Sequence, residues 1–479
     1  MSLARADLRF ALPQPVRHAS VLGGLDAWRE GLRLAGVEVD GDRPDLAVAP
    51  ARLARAAIAT GAAMIILEGR SFRGLARLGF DVRRYLPLPG PEAPDLVLPL
   101  GAAAPAVYAL ERWRPGYGIV KRARNRAVAK LASRGALPAL RVLQAVGQRE
   151  RQPPFLVAAA ADAGIPPDAP WFLTPGHGDP LTRGVFHLFR PGSAEPAWVL
   201  KFARIAGYRD PFDRDERGLR LAAAAPAAAA RAPRLLTRLE VEGLHASVET
   251  AATGEQLSSL MRRAPARARN SIDAVADWII RVGAETASPP DALGEERARL
   301  AGDVLPRWAE HGVPSDLVDR LPSLRGVVQH NDLGTWNVVV SSDGFTAVDW
   351  ESARACGLPL WDLLYFLVDA LPQLDGARSM EERAGGALRL LRGESPSSPV
   401  LFAWLRKAAA DAGLPAGAVG AVATLCFLHH GLSHVARERA VKTAEVGGER
   451  VLPPVERIAP AWLEDPTLGP AWPAWDAES

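Results

Sequence analysis

One segment constrains this chain more than any other: GVVQHNDLGTWNVVVSSDGFTAVDWESA, residues 326–353. A short apolar run, VVQ, delivers His330, Asn331 and Asp332 into a loop, and four residues pass before Asn337. VVV then enters a Ser-Asp-Gly turn at 342–344, and FTAVDW returns to Asp349. Two β-branched runs joined by a Gly-containing turn specify a hairpin. Closing it sets Asp349 beside Asn337, with Asp332 across the same loop. Such oxygen donors suit Mg2+, which takes carboxylate and phosphate oxygens in octahedral geometry. An aspartate near an acceptor hydroxyl can also orient it and take its proton. Turn capping would explain these residues singly; their ordered spacing favours a catalytic role.

At 479 residues the length favours two or three domains, and 48% hydrophobic with 23% charged residues excludes wholesale disorder. Cys356 and Cys426 cannot form a disulfide framework or a four-cysteine zinc site, and they fit a reducing compartment. The opening MSLARADLRFALPQP has no apolar signal core, and no run approaches the ~18 apolar residues of a membrane span. A cytoplasmic protein without a transmembrane segment is therefore expected. Formal charge is only +3, from 57 basic and 54 acidic residues, so nucleic acid is not an expected partner. The abundance of Ala, Arg, Pro and Gly suggests a GC-rich bacterial genome.

Three zones follow one another. The first alternates short apolar runs (Leu46 to Ala49, Met64 to Leu67) with helical stretches (Arg52–Thr60, Ser71–Leu78), and then gives two extended runs, DVRRYLPLP and PDLVLPLG. This alternation predicts an α/β domain over 1–115. Next, 116–151 is strongly basic. Ile119, Ala123, Ala127 and Leu131 fall at i, i+4, i+8 and i+12, which predicts a helical linker with an apolar stripe and a cationic face. An anionic or membrane-surface contact through 118–134 is one reading of it, and a solvated connecting helix is the other. The third zone begins near 152 with a helix (Phe155–Ala163). Three extended runs follow, WFLTPG, RGVFHLF and AWVLKFAR, then a charged helix and two more strands near Arg234–Leu239 and His245–Thr250. Beyond Gly254 the pattern is helical, apart from the hairpin. A small-sheet lobe over 152–252 and a larger helical lobe over 253–479, with a cleft between them, is the expected arrangement.

His330-x-Asp332-x4-Asn337, followed by Asp349-Trp350-Glu351, resembles the catalytic core of the aminoglycoside phosphotransferase/choline kinase family, small-molecule relatives of the protein kinases. GLPLWDLLYFLVDAL at 357–371 resembles that family's Gly-x-Pro-x-x-Asp-Leu helix. The resemblance covers roughly the last two-thirds of the chain and implies an α+β, two-lobed protein-kinase-like domain that uses ATP and Mg2+. It implies that Asp332 is the catalytic base, that Asn337 and Asp349 hold the metal, and that Asp362 braces the loop. His330 then reads as a structural hydrogen-bonder behind the loop. Kinase chemistry also asks for a phosphate-binding cation on a strand, paired with a helix carboxylate. Lys201 on the third strand and Glu216, fifteen residues later, meet that spacing, with Asp213 and Asp215 as neighbours that could substitute for Glu216. Gly176 and Gly178 could cover the phosphates with backbone N–H groups, and VETAATGEQL (248–257) resembles the linker that meets an adenine edge. Where the family most often has Gly, this chain has Asn331, and Asn tolerates left-handed backbone angles.

The implied reaction is transfer of the γ-phosphate of ATP to a hydroxyl of a small molecule: a sugar, an amino alcohol or an aminoglycoside-like acceptor. Two alternatives stand beside it. One is a pseudokinase scaffold whose N-terminal domain binds a partner. The other is a methyltransferase with an auxiliary kinase-like domain, because residues 44–100 resemble the second half of a class I methyltransferase sheet. The cofactor-binding first half reads as missing, since VLGG at 21–24 is a short glycine signal. His429, His430 and His434 have spacing formally compatible with zinc and read as helix-face histidines lining a pocket or packing. Trp336, Trp350 and Trp361 read as core aromatics around the active loop.

Overall fold

A computed structural model of the chain describes residues 3–69, 73–115, 118–136, 142–176, 181–443 and 457–472. The chain forms two compact units, one chiefly from Met1–Phe212 with Leu235–Thr253, the other chiefly from Asp213–Arg234 with Gly254–Thr443.

The first unit is built on a sheet of twelve strands. In chain order they are β1 (His18–Val21), β2 (Glu38–Val39), β3 (Leu46–Pro50), β4 (Met64–Gly69), β5 (Asp81–Leu88), β6 (Leu96–Pro99), β7 (Leu143–Gln148), β8 (Trp171–Thr174), β9 (Gly184–Phe189), β10 (Pro196–Phe202), β11 (Leu235–Val241) and β12 (Leu244–Thr250). Their lateral order is β11-β12-β10-β9-β8-β6-β5-β7-β4-β3-β1-β2. The helices are α1 (Asp26–Leu34), α2 (Ala54–Ala59), α3 (Arg73–Arg77), α4 (Ala103–Val107), α5 (Gly118–Ser133) and α6 (Phe155–Ala159). β3 and β4 read LAVAP and MIILEG without polar alternation, as strands covered on both faces do. Leu46, Val48, Met64 and Ile66 enter one core with Phe10 and Trp28. Ala47, Ala49, Ile65 and Leu67 enter a second core with Tyr108 and Leu110, on the other side of the pleat.

Three expectations are corrected here. First, 116–151 is not helical throughout: Leu143–Gln148 is β7, antiparallel to both β4 and β5. Its polar residues hid it in the sequence; Gln144, fully buried, donates from Nε2 to Glu68 Oε1 at 2.8 Å. Second, no break in the sheet marks residue 152, because β6 meets β8 at Val97 and Leu173 and the antiparallel run β8–β12 continues the same sheet. Third, the stretch ahead of residue 44, in which the sequence offers no strand reading, holds β1, α1 and β2, with β1 parallel to both β2 and β3. A Cβ at Gly23, just after β1, would come within 2.7–2.9 Å of Leu53 and Pro50, so the loops after β1 and β3 touch. Asp40, just after β2, accepts from Val21 N–H at 3.1 Å and from Arg29 Nε at 2.8 Å, so its carboxylate is used within the fold.

The stripe read as the apolar face of α5 also faces the wrong way for a core. Ile119 is 80% exposed and Ala123 and Ala127 are exposed; Ala129 and Ala132 are the buried positions. Asn125 Nδ2 ties this inner face to the carbonyl of Leu110 at 3.2 Å.

In the second unit, α7 (Asp210–Ala224), which begins at the unit boundary, and α8 (Pro226–Ala229) precede β13 (Glu255–Gln256), α9 (Leu257–Arg263), α10 (Pro265–Glu285) and α11 (Gly294–Arg299). Then come β14 (Val327–Gln329), β15 (Val338–Val340), β16 (Phe345–Ala347) and β17 (Arg354–Gly357). The helices α12 (Trp361–Leu374), α13 (Met380–Leu391), α14 (Ser398–Asp411) and α15 (Val419–Thr443) complete the unit's main body. β15 and β16 form the expected hairpin, with β13 on its far edge, and β14 pairs with β17. α12, WDLLYFLVDALPQL, is apolar on nearly every side and buried along almost its whole length, as a central core helix must be.

Candidate active site

The β14 strand ends at Gln329, and the next eight residues form a loop stapled at both ends. Inside it, Gly334 N–H donates to Asp332 O and Asn337 N–H donates to Gly334 O, each at 2.9 Å. Val338–Val340 then pairs with Phe345–Ala347, and Val348 N–H donates to Asn337 O at 2.8 Å. That register sets Asp349 beside Asn337, as the hairpin argument requires. Asn337 Nδ2 donates to Asp332 O at 2.8 Å and reaches Asp332 Oδ2 at 3.3 Å. With the amide nitrogen committed inward, Asn337 Oδ1 is the atom left to face a cation. Asn331 sits at φ +62° and Asp349 at φ +69°, both left-handed. Asn is one of the non-glycine residue types that adopt this conformation most readily, so Asn331 suits its position.

A polar stripe on otherwise apolar α12 holds this loop. Asp362 Oδ2 accepts from His330 N–H at 2.6 Å and Oδ1 from Asn331 N–H at 2.8 Å. One turn on, Tyr365 donates its hydroxyl to Asp332 Oδ1 at 2.9 Å. A turn further, Asp369 Oδ2 accepts from Thr335 N–H at 3.0 Å and from Thr335 Oγ1 at 2.6 Å, while Arg383 Nη2 donates to Asp369 Oδ1 at 2.5 Å. Gln373 Nε2 completes the row on Thr335 Oγ1 at 3.1 Å. Positions 362, 365, 369 and 373 share one helix face, so a single rigid element fixes the start, the aspartate and the middle of the loop. Only Asp362 was legible in the sequence. The i, i+3, i+7, i+11 polar stripe in an apolar helix was a readable signal for the other three.

His330 is buried, its Nε2 lies 3.0 Å from Val348 O, and its ring packs on Trp350 with centroids 4.7 Å apart. It packs behind the loop. Trp350 and Trp361 are core residues, whereas Trp336 is only half-buried. His429 stacks on Trp361 at 5.3 Å, with Nε2 3.4 Å from Asn331 Nδ2, and the His430 ring lies 4.4 Å from that of Tyr365. These two histidines pack around the loop; the side chain of His434 lies outside the described residues.

Burial holds His330 down to about 4, His430 to about 3 and His429 well below its ordinary value. Burial pushes Asp362 up to about 6 against the pull of its two backbone N–H donors. The histidines contribute stability that is present above about pH 6.5 and is lost as pH falls towards their folded values. Asp362 acts in the opposite sense, favouring the fold as pH falls from about 6 to 4. The buried His187, held down to about 3, acts in the same sense as these three histidines, so they outweigh Asp362 and the net effect is a loss of stability as pH falls. The thermal midpoint should therefore fall steadily from pH 6.5 to 4.5 in a calorimetric series, and a flat profile would contradict the assignment of neutral buried histidines.

In the first unit, Lys201 lies on β10, in register with Val185 and Ser247 of its neighbours. Its Nζ is 2.8 Å from Glu249 Oε1, and both side chains are largely buried. Glu249 is on a strand, β12, and was missed because cross-strand register is invisible in a linear spacing. Glu216 belongs to the second unit, where its Oε1 is 2.5 Å from Arg220 Nη2, and Asp215 beside it is almost fully buried. Gly176 follows β8 and is buried, and a Cβ there would run into the Thr182 carbonyl and Arg204; Gly178 lies outside the described residues.

The second unit thus carries a loop aspartate held by a core helix and an Asn–Asp pair on the following hairpin, and the first unit carries a strand lysine paired with a glutamate. Residues 186–397 match the family model described as APH, the phosphotransferase enzyme family. No match was found among curated protein sequences. Solved structures similar to this chain include the aminoglycoside phosphotransferase APH(3'')-Id from Streptomyces rimosus (18% identity over 55% of this chain and 91% of that one, TM-score 0.32). Another is a thermostable mutant of the aminoglycoside phosphotransferase APH(4)-Ia in ternary complex with AMP-PNP and hygromycin B (16% identity, 60% and 92% covered, TM-score 0.34). A glucosamine kinase is a third (13% identity, 62% and 82% covered, TM-score 0.35).

Proposed function

We propose that this protein transfers the γ-phosphate of ATP, with Mg2+, to a hydroxyl of a small molecule. The observation that carries the reading is the fixed relation of Asp332, Asn337 and Asp349, two of them joined by hydrogen bonds and all on one loop-and-hairpin braced by α12. Asp349 and the Oδ1 of Asn337 are the groups that would hold the metal. One carboxylate and one amide oxygen fit Mg2+, which keeps water and phosphate oxygens in its shell instead of demanding a full protein cage. Among the described residues no group of three or more His, Cys, Asp or Glu forms such a cage. Mg·ATP, when bound, supplies the phosphoryl group and neutralises charge that develops on it.

The remaining work belongs to this chain's own side chains. Asp332 accepts the hydrogen of the acceptor hydroxyl, orients its oxygen for attack and takes the proton as the new bond forms. Tyr365 and Asn337 restrict the carboxylate to that orientation. Lys201, kept charged and aligned by Glu249, is the cation assigned to the nucleotide phosphates, and the backbone near Gly176 is assigned to cover them.

The test is a thermal shift of the full chain with Mg·ATP, run beside Asp349→Ala. At a hundredfold excess over Kd the ligand should stabilise the intact protein by about 2.7 kcal/mol, and only when magnesium is present. Asp349→Ala should lose most of that rise. No shift at millimolar Mg·ATP would overturn the reading in favour of a scaffold.

A further inference from the structure

We infer that α5 is a docking surface for anionic lipid bilayers. The inference stands on the helix alone and is independent of the phosphotransferase chemistry. Between Arg112 and Arg149 the chain has no acidic residue, while α5 itself carries Lys121, Arg122, Arg124, Arg126 and Lys130, with Arg134 just beyond it. A helix of this charge usually buries its apolar stripe and leaves the cations to water. Here the helix is turned the other way. Asn125, Ala129 and Ala132 face inward, Ala129 joining the core with Tyr108 and Leu110. Ile119 and Val120 project outward at 80% and 83% exposure, the two most exposed large hydrophobics among the described residues. Ala123 and Ala127 continue the exposed side, with Arg124, Arg126 and Lys130 beside them.

Aliphatic side chains flanked by cations on an outward helix face are the composition of a helix that lies in a lipid headgroup layer. The aliphatic tips enter the acyl boundary, and the lysines and arginines meet phosphate oxygens with their stems laid along the surface. Charge selects this occupant over the others. A second copy of the chain would bring the same cationic face and be repelled. A nucleic acid would use the cations but leave Ile119 and Val120 in water, and the described outward face of α5 offers no aromatic ring for base stacking. No single described helix is long and apolar enough to cross a membrane, so contact through α5 is peripheral.

The test is co-sedimentation of the full chain with vesicles of pure phosphatidylcholine and with vesicles containing about a third phosphatidylglycerol. Binding is expected to the anionic vesicles only and should weaken at high salt. Arg124→Gln with Lys130→Gln should lower partitioning about fivefold per cation removed. Ile119→Ser with Val120→Ser should lower it by about tenfold while leaving the salt dependence in place. All four positions are exposed or on the outer turn, so the fold should survive, and an unchanged thermal midpoint would establish that. Equal binding to neutral and anionic vesicles, no binding to either, or binding untouched by both double variants would overturn the proposal. So would tight binding to duplex DNA without vesicle binding.

Discussion

Asp332→Asn should lower turnover by about 10²–10⁴-fold while the magnesium-dependent thermal shift with ATP persists. The substitution preserves shape: Tyr365 can still donate to the retained oxygen, and the Asn337 amide still reaches the backbone carbonyl of residue 332 at 2.8 Å. On the proposed reading, what disappears is the group that takes the acceptor's proton. ADP release, measured with the best acceptor from a panel of hydroxyl compounds, reads the loss. Tyr365→Phe is the graded companion. Removing the hydroxyl donor 2.9 Å from Asp332 Oδ1 makes the carboxylate easier to protonate, so the acid limb of the rate profile should move to higher pH. Near-normal turnover in Asp332→Asn would remove the base assignment, whatever the nucleotide does.

How much of this site could be read beforehand follows from which interactions are local. The loop and hairpin of 326–353 were legible because turn chemistry, β-branched runs and residue order all act within thirty positions. Asn331, read as tolerant of left-handed backbone angles, adopts one. β3, β4, β5 and β6 were legible as apolar or extended runs. Long-range register was not. Nothing in a linear spacing says that Lys201 pairs with a residue on a strand 48 positions away, Glu249, or that Gln144 is buried on Glu68. β1, β2 and β7 are short or carry polar residues, so each becomes a strand only through its neighbours. The α5 stripe failed for a related reason: periodicity finds the faces of a helix, but the rest of the fold decides which one turns inward.

Asp369→Ala is the substitution expected to damage the fold of the second unit most. Asp369 is fully buried and Arg383 nearly so, and their contact is 2.5 Å. Removing the carboxylate strands the guanidinium in a low-dielectric interior, a loss of about 3–5 kcal/mol, and also unpairs the N–H and hydroxyl of Thr335. For a unit of this size that corresponds to a midpoint lowered on the order of 10 °C. The two consequences can be separated. Asp369→Leu combined with Arg383→Met removes both charges together and should recover much of the midpoint, as buried ion pairs replaced by apolar residues often do. Turnover should not recover with it, because Thr335 still lacks the acceptor that holds the middle of the catalytic loop 3.0 Å from α12. If Asp369→Ala left the unfolding free energy within about 0.5 kcal/mol of the parent, the buried pair would not be holding the core. If the double variant regained full turnover, Asp362 and Tyr365 alone would suffice to hold the loop, and the lower half of the stripe would serve packing only.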